Sequence, residues 1–177
     1  MSNLWQKGTP VDVVDMMLAR EQRVQLQKEL LQQAETASLL SATMNIPGPI
    51  KNSPSLEKLF LAFIQQMQSL IEVHQIKLPV YRNLKTGPEY LCLLGCSPIV
   101  LKKQLVAFEE TQKAGRLFDL DVLYLEAGAM QTLSRTALKL PPRKCFVCQT
   151  DAKVCGRERR HTIEEMQHEI EQLLEKG

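Results

Sequence analysis

The stretch whose reading decides the fold is GRLFDLDVLYLE, Gly115 to Glu126. It reads as a β-strand, an apolar run that nevertheless carries two aspartates one residue apart. On a strand, Phe118, Leu120 and Val122 share one face, while Leu117, Asp119, Asp121 and Leu123 share the other. The two carboxylates then stand on the same side, roughly 7 Å apart at Cα. Like charges that close repel unless they are solvated, neutralised or bridged. Mg²⁺ prefers oxygen ligands and takes one or two carboxylates plus substrate phosphates. Asp119 and Asp121 are therefore read as a Mg²⁺ site, with Arg116 beside them as a cation for a phosphate. The competing reading is a pair of solvated acids at an exposed strand end, since D-x-D alone is unspecific.

Working outward, Ser97-Pro98 opens a helix with Leu101, Leu105 and Phe108 on one side. Before it, strands are expected over Leu78 to Leu84 and Glu89 to Leu94, joined by a KTGP turn. Ser53-Pro54 opens another helix, whose wide apolar face is Leu56, Leu59, Phe60, Phe63, Ile64, Met67, Leu70 and Ile71. NIPGPIKNSPS, Asn45 to Ser55, is a breaker-rich connector or an ordered loop touching a ligand. Thr9-Pro10 caps a first helix, with Asp12 as its early acid. That helix is expected to run to about Ala42 with Val14, Met17, Leu18, Val24 and Leu31 as its stripe. Thr162 and Glu165 make a capping box for a last helix with Met166, Ile170, Leu173 and Leu174 inward. The order helix, helix, hairpin, helix, strand, helix gives an α+β class, a small mixed or antiparallel sheet flanked by helices.

At 177 residues the chain suits one domain, 1–177, able to bury a core without disulfides. Aromatic residues are only 5 %, which leaves little for stacking on nucleic acid. No signal peptide or apolar span is visible, so a cytoplasmic protein with reduced thiols and no membrane is expected. Charge is unevenly spread. From Gln131 to His161 eight Lys/Arg face two acids, in a chain whose formal net charge is +2. Such a field suits a polyanion, against the bland alternative of a solvated loop.

That basic segment, about 134–161, is also cysteine-rich. Cys145, Cys148, Cys155 and His161 fit a Cys₃His zinc site, with Cys-x₂-Cys as one corner. Buried thiols, with His161 at a helix start or touching substrate, are the alternative. Cys92 and Cys96 lie in an apolar strand context and read as core. No G-x-S-x-G, P-loop or Rossmann glycine pattern is present.

Several blocks together resemble a known family. ARE-R (Ala19 to Arg23), NIPGP-K (Asn45 to Lys51), TGPE (Thr86 to Glu89), GRLFDLDV (Gly115 to Val122), SR--L-LPPRKC--C (Ser134 to Cys148) and C-R-RRH (Cys155 to His161) look like the holo-citrate lyase synthase family. Its other name is apo-citrate lyase phosphoribosyl-dephospho-CoA transferase. The resemblance implies a nucleotidyltransferase, and with it a nucleotidyltransferase-like sheet. The implied donor is 2′-(5″-triphosphoribosyl)-3′-dephospho-CoA. The implied acceptor is a serine on the acyl carrier subunit of citrate lyase, with pyrophosphate released. It also implies cations for the triphosphate: Arg116, Arg135, Arg143, Arg157, Arg159, Arg160 and His161 from one side, and Arg20, Arg23 and Lys51 from the other. Polymerase-beta-type nucleotidyltransferases carry Gly-Ser before their D-x-D and a third carboxylate on a later strand. Here the pair is Gly115-Arg116, and Glu126 falls on the opposite face of a regular strand. The rival reading is a non-enzymatic, zinc-stabilised adaptor that binds an acidic carrier protein through the basic segment.

Overall fold

The computed structural model describes residues 3–34 and 36–175. Five strands and five α-helices follow the order α1 (Val13–Gln32), β1 (Ser38–Met44), α2 (Pro54–Ile71), β2 (Lys77–Leu84), β3 (Gly87–Leu94), α3 (Pro98–Thr111), β4 (Phe118–Glu126), β5 (Ala129–Thr132), α4 (Ala152–Glu158) and α5 (Ile163–Glu175). The strands form one antiparallel sheet in the order β2-β3-β1-β4-β5. The α+β class holds, and of the two sheet types expected the antiparallel one is found.

One face of the sheet carries the larger core. Leu56, Phe60, Phe63, Ile64 and Met67 of α2 and Leu101, Leu105 and Phe108 of α3 pack on Leu40, Ala42, Tyr90, Cys92, Phe118, Leu120 and Val122. Phe118 lies flat against Phe63, with ring centroids 3.6 Å apart and planes 8° apart. The opposite face holds a smaller cluster, where Leu30 and Leu31 of α1 meet Leu39, Leu91, Leu93 and Leu123. Alternation along β4 therefore puts its apolar set into the large core and its two aspartates on the α1 side, as expected.

The central strand β1 is the main departure. The first helix does not continue to Ala42: it ends at Gln32, capped by Gln33, and the chain turns into β1. Ser38 to Ala42 are buried on both faces of the sheet, so no alternation marks them. A short apolar run of that kind cannot be told from helix by periodicity alone. The cap also shifts from Thr9 to Asp12, which forms a reciprocal box with Asp15. Val14, Met17 and Leu18, expected inward, are exposed, because the N-terminal half of α1 overhangs the sheet. The remaining caps are as expected: Ser53 and Ser97 each accept a backbone N–H in the first turn, and Thr162 and Glu165 exchange bonds of 2.8 and 3.1 Å. Two short elements, β5 and α4, add to the expected order.

The strand containing the aspartates starts at Phe118. Lys113–Leu117 form a 3-10 turn instead, which sends Leu117 into the large core and not to the aspartate side. Gly115 lies in this turn against α3. A Cβ there would sit 2.0 Å from the carbonyl oxygen of Glu109. Gly115→Ala is expected to cost about 2–3 kcal/mol, because backbone and not a pliable side chain must move. Chemical denaturation checks this; a loss below about 0.5 kcal/mol would contradict the packing argument.

Both ends of the sheet are modified. At one end β2 carries Pro79 and a register irregularity between Lys77 and Val80. At the other, β5 covers only Leu123 to Glu126 of β4. Beyond it, the carbonyls of Val122 and Leu120 accept from the Leu133 N–H at 2.9 Å and the Lys102 ammonium at 2.7 Å.

Candidate active site

Register across the sheet sets the site. Asp121 stands opposite Ser41 and Asp119 opposite Thr43. Both carboxylates project on the face that α1 only partly covers. Two clefts lie nearby; Asp121 lines the smaller, and Asp119 lines neither but is bonded to Arg143 of the larger. The smaller, about 840 Å³, is lined by Arg20, Arg23 and Gln27 of α1, by Gly48 and Lys51, and by Asp121 and Thr132. The larger, about 1000 Å³, is lined by Lys51, Arg116, Arg135, Arg143, Arg159, Arg160 and His161 among others. Lys51 belongs to both.

The breaker-rich connector is thus an ordered loop that walls both clefts. Lys51 donates to the Ile46 carbonyl at 2.5 Å, Val11 N–H to the Pro49 carbonyl at 2.9 Å, and Asn52 to Asn83 and the Leu84 carbonyl. Burial holds the Lys51 ammonium below its usual pKa.

Asp119 and Asp121 differ in surroundings. Arg143 donates to Asp119 Oδ1 at 2.6 Å. Asp121 makes no such pair among the described residues. Its carboxyl is lifted above the ordinary range, first by desolvation, with Lys102 pulling down and Asp119 pushing up. Its surface reaches solvent, yet protein encloses the cleft floor on which it stands. The mutual push is the like-charge conflict expected from the sequence, relieved on one side only.

Several arginines read as substrate contacts are already partnered. Arg143 also donates to Glu109 Oε2 at 2.6 Å, and Arg135 bonds Glu109 at 3.0 Å and Glu110 at 2.9 Å. Glu109, on α3, is 5 % exposed and was not anticipated from sequence. Arg143 therefore comes round the open edge of β4, joining α3 to Asp119. Arg23 pairs with Glu89 at 2.6 Å, and Arg82 pairs with the other oxygen of the same carboxylate. Arg116 donates to the Lys144 carbonyl, and Arg160 pairs with Glu158. Arg20 and Arg159 line the clefts without an ion pair among the described residues. Arg157 is exposed and lines neither cleft.

Glu89 answers part of the search for a third carboxylate. It stands on β3, on the same face as Asp119, with Thr43 of β1 between them. By strand spacing the two Cα atoms are about 10 Å apart. It is buried and neutralised by two arginines, so it organises Arg23 beside the smaller cleft instead of facing an ion itself. Glu126 lies at the β4–β5 hairpin, paired with Ala129 and away from the site. Lys102 is the other residue sequence reasoning missed. It is a buried cation at the β4 edge, and burial lowers its pKa while Asp121 raises it. Apart from Arg82, seven residues before Glu89, the groups they hold lie 18 to 66 residues away, beyond any local signal.

The cysteine-rich segment forms the outer wall of the larger cleft. Cys145, Cys148, Cys155 and His161 place one ligand atom each within 4.8 Å of one another. All five cysteines of the chain are unpaired thiols. Hydrogen bonding, first of all from Thr150, brings the Cys148 thiol down to about 6.

Comparisons with known proteins extend over nearly the whole chain. The family described as Apo-citrate lyase phosphoribosyl-dephospho-CoA transferase matches residues 11–177. A probable apo-citrate lyase phosphoribosyl-dephospho-CoA transferase of Streptococcus pyogenes serotype M18 is 44% identical over 167 residues, covering 94% of this chain and 87% of that protein. A protein of the same description from Vibrio cholerae serotype O1 (strain M66-2) is 32% identical over 166 residues, covering 92% and 91%. Protein CitXG of Leuconostoc mesenteroides subsp. cremoris is 36% identical over 169 residues, which is 94% of this chain and 36% of that longer protein.

Proposed function

Because the chain belongs to the apo-citrate lyase phosphoribosyl-dephospho-CoA transferase family and is a transferase, we propose that it attaches the citrate lyase prosthetic group by nucleotidyl transfer. The donor is the 2′-(5″-triphosphoribosyl)-3′-dephospho-CoA precursor, and the acceptor is a serine of the acyl carrier subunit of citrate lyase. The serine oxygen bonds to the innermost phosphorus and loses its proton. The bond from that phosphorus to the next bridging oxygen breaks, and pyrophosphate leaves. The adaptor reading gives way to an enzyme, in keeping with the family.

The observation that carries this reading is a pair of basic clefts that share Lys51, with Asp121 lining the smaller and Arg143, bonded to Asp119, lining the larger. The donor is long and anionic, so it needs cations on both sides of the reacting phosphorus. Arg20 and Lys51 serve one side; Arg159, Arg116 and Arg143 serve the other. The carboxylates fit a divalent cation. Asp121 lines the smaller cleft without an ion pair among the described residues, and Arg143 bonds Oδ1 of Asp119. Mg²⁺ held by Asp119 and Asp121 would supply charge neutralisation and polarisation of a phosphoryl oxygen. Arg143, tethered by Glu109, holds Asp119 in place and brings a fixed positive charge to the leaving-group side. Such preorganised charge is the main resource for this class of reaction. The nucleophile comes from the partner, so a catalytic serine or cysteine in this chain is not required.

The test is incubation of the enzyme with apo carrier subunit, the triphosphoribosyl donor and Mg²⁺, read by intact mass. A gain equal to the phosphoribosyl-dephospho-CoA group, with stoichiometric pyrophosphate, is expected. An unchanged carrier mass with competent donor and acceptor sinks the proposal. Arg20→Ala should raise KM for the donor roughly ten- to a hundredfold, since a charge-assisted contact is worth about 1.5–3 kcal/mol. Arg157→Ala should change it less than about twofold, because surface changes away from a site are small. Steady-state kinetics on both variants separates the cleft-lining arginine from the one outside.

A further inference from the structure

We propose that Cys145, Cys148, Cys155 and His161 bind one zinc ion, and that this ion fixes the arginine-bearing wall of the larger cleft. The thiol spacing is that of a tetrahedral centre. With zinc–sulfur bonds of about 2.3 Å, two sulfurs on one ion stand about 3.8 Å apart. Cys148 and Cys155 are 3.8 Å apart, and Cys155 and Cys145 are 3.5 Å apart. A disulfide would need about 2.05 Å.

The histidine gives an independent observation. His161 Nε2 is a buried polar atom with no hydrogen-bond partner. A buried ring nitrogen left in that state is costly. Its other ring nitrogen, Nδ1, lies 3.9 Å from the Glu165 carboxylate. Metal-bound histidines commonly turn their second nitrogen towards a carboxylate in this way.

The backbone is shaped for the four ligands. Gln149 N–H bonds the Cys145 carbonyl at 3.0 Å, and Cys145 N–H bonds the Thr150 carbonyl at 2.6 Å, closing a tight turn around Cys148. Asp151 caps α4, which presents Cys155 to that turn. His161 comes from the link between α4 and α5. Four protein ligands leave no open position, which marks a structural ion and not a catalytic one. The ion would join the turn, α4 and the start of α5. Arg143 lies two residues before the first ligand, and Arg159 and Arg160 lie between the last two.

Zinc content decides the matter without any assay of activity, so its outcome is separable from that of the proposed reaction. Protein purified in reducing buffer and reconstituted with zinc should carry one ion per chain by elemental analysis. Cobalt substitution should give the visible bands of tetrahedral thiolate coordination. Cys148→Ser and His161→Ala should each weaken zinc binding at least about tenfold. Chelation should raise amide exchange across residues 143–162 while β1 and β3 stay protected. If a variant fails to fold, cobalt spectra of the unaltered protein still decide. Less than about a tenth of an equivalent of zinc after reconstitution overturns the proposal. So does a Cys145–Cys155 disulfide in protein kept under reductant, or unaltered zinc affinity in both variants.

Discussion

Asp121→Asn should lower kcat roughly a thousandfold while leaving the thermal melting curve unchanged. The magnitude follows from losing one charged group at a centre where electrostatic stabilisation dominates. Stability is spared because Asp121 makes no ion pair among the described residues and is lifted above the usual carboxylate range by desolvation. Its ionised form is thus disfavoured in the folded state, and an amide relieves that conflict. The same shift fixes a pH dependence. A proton and a divalent cation compete for the carboxyl, so cation binding should weaken as pH falls, starting above the range of an ordinary carboxylate. Asp119→Asn should be comparably inactive, but it also turns the charge-assisted bond from Arg143 into a weaker one to a neutral oxygen. Calorimetric titration with Mg²⁺ and single-turnover kinetics check both variants. An Asp121→Asn enzyme within about tenfold of the parent would remove the carboxylate pair from the mechanism.

The second large effect is on the fold. Glu109→Ala should destabilise the protein by about 3–5 kcal/mol, the cost of removing one partner from a buried ion cluster. For a chain of this length that lowers Tm by roughly 10 °C. The carboxylate is almost fully buried and bonds two guanidinium groups, which without it would keep only the more exposed Asp119 and Glu110 as acid partners. Glu110→Ala is the control. Its side chain is 59% exposed, and its pair with Arg135 should be worth less than about 1 kcal/mol. Glu109→Ala should also reduce activity below the new Tm, since Arg143 loses its tether. A Tm shift below about 2 °C would mean that the cluster contributes little to stability.

The alternation of β4, the Ser-Pro helix starts, the Thr162–Glu165 box and the KTGP hairpin are local signals, and all appear in the structure. What was illegible is nonlocal. β1 lacks alternation because both its faces are covered, so it passed for helix. The 3-10 turn at Lys113–Leu117 displaced Leu117 because the strand start is set by packing against α3. Charge counting located the basic segment but not its partners. Arg135 and Arg143 look available on paper, yet Glu109, 26 and 34 residues away, already engages them. Arg20 and Arg159 gain weight as substrate contacts only once those pairings are seen.

Lys102 and Leu133 stopper the open stretch of β4, and proline with an irregular register disrupts β2 at the other margin. The outermost strands are short, with β5 only four residues long and β2 regular only from Val80 to Leu84, so a neighbouring molecule's extended segment finds only a brief row of amide groups to zip onto. Crowded solutions of this enzyme should therefore resist fibrous, strand-templated aggregation.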